Sequence, residues 1–99
     1  MSSGVRLSMR GAVVGTGSAM DIKTICWRPK LVKLYNVTGL CTAIWTESMA
    51  DASMLKEVTA GTKSFVTSNG ITPLSDGFRL GADADLNVAD EVVHYIAEQ

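Results

Sequence analysis

Asp83, Asp85 and Asn87 stand at alternate positions, with Asp90 and Glu91 close behind. Oxygen ligands spaced in this way can wrap a hard cation. An EF-hand loop, however, needs Gly at its sixth position and Glu at its twelfth. Val88 and His94 occupy those positions here. Asp and Asn also build turns, because their side chains bond to nearby backbone, and a structural turn is the expected reading. His94 is the sole histidine. No spacing supplies it with a nucleophile or an orienting carboxylate, so a packing role in a strand is expected. Gly15-Thr16-Gly17-Ser18-Ala19 follows an apolar run. A dinucleotide site needs such glycines between a strand and a helix, and the strand-like Met20–Trp27 follows instead. No nucleophile-elbow, zinc-protease or P-loop motif is present. Cys26 and Cys41 are too few and too far apart for a disulfide framework or a zinc site, and two reduced thiols are expected. Asn36-Val37-Thr38 matches a glycosylation sequon, which has no consequence without secretion. The expectation is therefore a chain that is not an enzyme, with no catalytic, metal or cofactor site.

Ninety-nine residues suit one domain with one modest core. Apolar residues make up 46% and charged residues 19%, which excludes a disordered chain. Nine Lys/Arg against ten Asp/Glu give a net charge of −1, so no basic footprint for nucleic acid exists. Apolar runs are far shorter than the ~18–20 residues a membrane-crossing helix needs. Arg6 and Arg10 break up any leader-like segment, and synthesis in a cytoplasm is expected. A mean hydropathy of +0.19 is high for so small a protein and points to covered surface.

The elements that must position these residues read as strands. Val, Ile and Thr number 10, 5 and 9, and such side chains fit pleated surfaces. The pattern predicts strands over Val5–Val14, Ile22–Arg28, Leu31–Thr38, Thr42–Thr46, Lys63–Thr67, Gly77–Leu80 and Glu91–Ala97. Turns are expected at Gly15-Thr-Gly17, Pro29, Thr38-Gly39, Ser68-Asn-Gly70 and Ser75-Asp-Gly77. Glu47–Thr59 contains helix formers, with Met54, Leu55 and Val58 as a stripe for one or two helical turns. The predicted fold is all-β, a compact antiparallel β-sandwich or jelly-roll-like barrel with at most one short helical turn. Residues 1–14 would form an N-terminal arm and first strand, and residues 15–99 a single β-sandwich domain. Alternation in Leu31–Thr38 and Glu91–Ala97 leaves both faces partly apolar, one for the core and one for a neighbouring subunit. Phe78 reads as core, and Trp45, close to a loop, as an interface anchor.

From Gly70 to Ala97 the chain is similar to a pattern common in tailed-phage virion proteins. Gly77, Phe78, Leu80, Gly81, Asp83, Leu86, Asn87, Glu91, Tyr95 and Ala97 match it. The run Trp27–Asn36 and Ile44-Trp45 with Met49 resemble the middle of such modules. Trp27 stands in place of the usual Phe, and Asp90 in place of a turn Gly. The resemblance implies a β-sandwich module of a phage particle, with Phe78, Gly81, Asn87 and Tyr95 as fold determinants. A free-standing chain of this length favours a capsid decoration (cement) protein on the outer capsid surface of the virion. Its partners would be the major capsid protein and itself, as a homotrimer. A tail, neck or fibre module, binding another virion protein or a host glycan, is the alternative. Ser2–Arg10 is expected to pair on a neighbouring chain, with Val5, Leu7 and Met9 as anchors and Arg6 and Arg10 facing out or meeting capsid carboxylates.

Overall fold

A computed structural model of the chain describes residues 8–59 and 61–99. Its strands are β1 (Ser8–Val14), β2 (Met20–Ile22), β3 (Leu31–Asn36), β4 (Cys41–Thr46), β5 (Ser53–Glu57), β6 (Lys63–Leu74), β7 (Gly77–Leu80) and β8 (Val92–Glu98). They form one antiparallel sheet in the order β1-β8-β3-β4-β5-β6-β7-β2. The sheet curls into a half-barrel, so the expected all-β fold closes its core with one curved sheet. No helix occurs among the described residues.

Alternation sets the inner face. Val32 and Leu34 of β3 are buried, as are Val93, Tyr95 and Ala97 of β8. Register places Val32 between Trp45 and Ala97, and Leu34 between Ala43 and Tyr95. The opposing wall supplies Met54, Ile71, Phe78 and Leu80, and the loops add Ile25 and Leu86. Each such side chain contributes about 1.5–3 kcal/mol on burial. Phe78 meets Tyr95 edge-to-face at 5.6 Å between ring centroids, an arrangement favoured by the ring quadrupoles.

The structure corrects several expectations. Glu47–Thr59 holds no helical turn but a turn followed by β5. Met54 is buried and Leu55 exposed, so their apolar stripe is strand alternation. Pairing with β4 and β6 overrides the local helix preference. Ile22–Arg28 is strand only to Ile22, because the backbone turns beyond it and Cys26 takes a φ of 65°. Ser68-Asn-Gly70 is not a hairpin turn. Strand β6 passes through it, with Met54 opposite Val66 and Ser53 opposite Ile71, so Thr67–Gly70 bulge out of the β5 ladder. Asn69, at φ 59°, supplies the left-handed residue that the bulge needs. Ser8–Arg10 pair with Glu98, Ala97 and Ile96 of the same chain, so Met9 and Arg10 belong to an intrachain strand and not to a free arm. The expected anchors Val5 and Leu7, and Arg6 between them, lie outside the described residues.

Candidate functional site

The residues singled out for chemistry hold the fold. Strands β1 and β2 end the sheet on opposite sides, yet residues 15–19 join them directly. Side chains tie this junction down where no ladder does. Asn87 Oδ1 accepts from the Thr16 and Gly17 amides at 3.0 and 3.4 Å. Its Nδ2 donates to the Ser18 and Gly81 carbonyls at 2.7 and 3.0 Å. Asn87 therefore bonds to backbone, as its turn chemistry predicts, but to a loop about seventy residues away in sequence. Beyond β2, the Thr24 and Tyr95 hydroxyls share a hydrogen bond of 2.7 Å. Gly81 has no room for a side chain, since a Cβ there would lie 2.4 Å from the Asn69 backbone. Asp90, where the resembled pattern carries glycine, adopts φ 67°, a conformation Asp tolerates better than most residues.

Asp83 and Asp85 enclose an internal cation. Lys56 Nζ lies 2.9 Å from each of these carboxylates. Asp83 Oδ1 also accepts from the Asp85 and Leu86 amides, which shapes the turn. Burial works to lower the Lys56 pKa, but its hydrogen bonds to Asp85 and Asp83 prevail and raise it. Cys41 is buried behind this cluster. Burial, reinforced by Asp83, pushes its thiol up to about 11, so it is a packing residue and not a nucleophile. Cys26 is exposed. On the surface, the Arg79 guanidinium beside Asp21 holds that carboxyl below the usual range.

The outer face of the sheet remains. Register aligns Arg10, Ile96, Lys33, Ile44, Leu55 and Phe65 in one row from β1 to β6. The next row carries Ala12, His94, Tyr35, Thr42, Glu57 and Lys63. Leu55 and Phe65 are 40% and 56% exposed, and the row flanks a groove of about 300 Å³. His94 lies in the second row opposite Tyr35 and Ala12, without a nucleophile, on an exposed strand position. Arg10 sits at one end of the first row. Trp45 is not on this face. It is 2% exposed, with its indole N–H donated to the Ala50 carbonyl, so it anchors the core and the interface expectation is corrected.

Compared with family models, curated proteins and solved structures, the chain matches none.

Reading the sequence alone misses Lys56 and the outer row. Lys56 lies in the segment that reads as helix. The row exists only across strands, where register and not spacing along the chain brings residues together. The signal available was the two-sided apolar character of Leu31–Thr38 and Glu91–Ala97.

Proposed function

We propose that this protein is a structural component of a phage virion, a capsid decoration protein that binds the major capsid protein as a homotrimer. The observation that carries the reading is how its polar chemistry is used. Asn36, Asn87, Asp83 and Lys56 all bond within the chain and fix its loops. The residues that resemble virion modules, Phe78, Gly81, Asn87 and Tyr95, are the same residues that make the core and its closure. A sheet whose outer row interleaves Ile96, Ile44, Leu55 and Phe65 with Arg10 and Lys33 suits adhesion, where buried area and a few anchors set affinity.

Purified particles test the reading by composition and by add-back. In this account the protein is present in proportion to the capsid subunits. Particles assembled without it lose their DNA at lower temperature, and adding the purified protein restores their resistance. A few copies per particle would place it in the tail, neck or fibre instead. Absence from particles would reject the virion reading.

A further inference from the structure

We propose that copies of this protein join through the β3–β4 hairpin, the tip of one copy seated in the outer groove of the next. The inference supplies the contact for the homo-oligomer proposed above and rests on that part of the reading.

The tip is Val37–Leu40. Val37 and Leu40 are 57% and 63% exposed, and Leu40 also holds φ 54°. Glycine or asparagine would be ordinary in that left-handed conformation, whereas a bare leucine is unfavourable in both backbone and solvation. Yet the tip is firmly held. Asn36, buried beneath it, accepts from the Thr38 and Gly39 amides at 3.0 and 2.9 Å. The same side chain donates to the Leu86 carbonyl and to Glu91 Oε1. Thr59 Oγ1 caps the Gly39 carbonyl at 2.8 Å. A protruding apolar knob is thus organised before it meets anything, which lowers the ordering cost of binding.

The groove is the matching hole. Tyr35, Thr42, Ile44 and Leu55 line it, with Lys33 and Lys63 on its rim. Glu57 also lines it, as does Lys56, which is bonded to Asp83 and Asp85; outside that cluster two lysines stand against one glutamate. At about 300 Å³ it has room for the Leu40 side chain. The surroundings of the tip are acidic: the Glu91 carboxylate lies beside Gly39, and Asp90 precedes Glu91. The Asp85 carboxylate is engaged by Lys56, so the negative charge of the tip rests on Asp90 and Glu91. Apolar knob meets apolar hole, and acidic surround meets basic rim. Because knob and hole are different surfaces of one chain, they can join copies head-to-tail, an arrangement that forms a ring when the rotation between copies closes, and the homotrimer proposed above is the three-membered ring.

The test is the solution mass of the purified full chain by light scattering at high micromolar concentration. Wild type should run as a closed multiple of 10.5 kDa. Leu40→Asn removes the knob and suits the left-handed backbone, so it should fold with an unchanged or higher Tm yet run as a monomer. Leu55→Glu, at an exposed groove position, should also run as a monomer. Either change should weaken association roughly tenfold or more. Mixing the two variants should restore a one-to-one pair, because one intact knob then meets one intact groove. A monomeric wild type, an oligomer indifferent to Leu40→Asn, or no pairing in the mixture would overturn the proposal. Particle binding, measured separately, tells this failure from failure of the virion reading: a monomeric wild type whose occupancy falls with Leu40→Asn would show the tip contacting the capsid.

Discussion

Replacing Asn87 by alanine probes the closure of the sheet most sharply. Asn87 is buried and ends four hydrogen bonds, with Thr16, Gly17, Ser18 and Gly81. The 3.4 Å bond to Gly17 is weak, so three carry the effect. Each such bond contributes about 0.5–1.5 kcal/mol net, and a buried partner left unpaired costs about 1–3 kcal/mol. Only the bond to Gly81 is fully buried, and water can reach the other partners. The sum for Asn87→Ala is about 2–6 kcal/mol, one full desolvation penalty and two ordinary bonds. For a domain of this size that lowers Tm by roughly 10–30 °C. Urea unfolding at neutral pH, with fluorescence and circular dichroism as coincident probes, measures it. Asn87→Asp separates donors from acceptors. It keeps the carboxamide oxygen's role toward Thr16 but loses donation to the Ser18 and Gly81 carbonyls, so it should be destabilised at pH 7 and partly recover in acid. Thr16→Ala is the control, since its hydroxyl bonds only at the exposed surface, and about 0.5 kcal/mol or less is expected. An Asn87→Ala variant within about 1 kcal/mol of wild type would mean that the junction holds without this side chain.

Other consequences follow from the same contacts. Phe78→Ala should cost about 3–5 kcal/mol in urea unfolding, since it empties the centre of the core. Ser53→Ala should be neutral or stabilising by up to about 1 kcal/mol, because its buried hydroxyl has no partner among the described residues. Iodoacetamide should label Cys26 in the native protein and Cys41 only on unfolding, as peptide mass mapping would show. Cys41 also sets an alkaline slope. Its thiol titrates at about 11 in the fold against 9.0 for a free thiol, so the unfolded chain loses this proton first. Stability should therefore fall as pH rises from 9 towards 11, by up to ~2–3 kcal/mol, and Cys41→Ala should flatten that part of the curve. The raised Lys56 pKa acts in the same direction: its ion-pair stabilisation is complete below the free-lysine value of 10.5 and is lost as pH climbs through the folded value.

Strands β3, β4 and β8 were legible because each alternates with one face in the core, and β7 because Phe78 lies between Gly77 and Gly81. Strand β5 was not, since Met54, Leu55 and Val58 satisfy a helical spacing as well as a strand's, and only the neighbours β4 and β6 decide between them. The Ser68-Asn69-Gly70 signal correctly marked a left-handed residue, but a bulge needs that conformation as much as a turn does. Trp45 shows the limit of reading position for exposure: it lies near a loop, yet the pleat turns its indole inward beside Val32. The staple function of Asn87 and the Lys56 bridge join residues far apart in sequence, so no local pattern could display them. The outer row is likewise a product of register.

Density for the intact particle decides whether this protein decorates a capsid. A cryo-EM reconstruction of the virion should show this half-barrel on the outer capsid, in three-fold clusters at junctions between major capsid subunits, with its outer face and hairpin tips turned toward neighbouring protein. A particle whose capsid surface carries no such density, while the protein is found free in the infected cell or within the tail, would contradict the account.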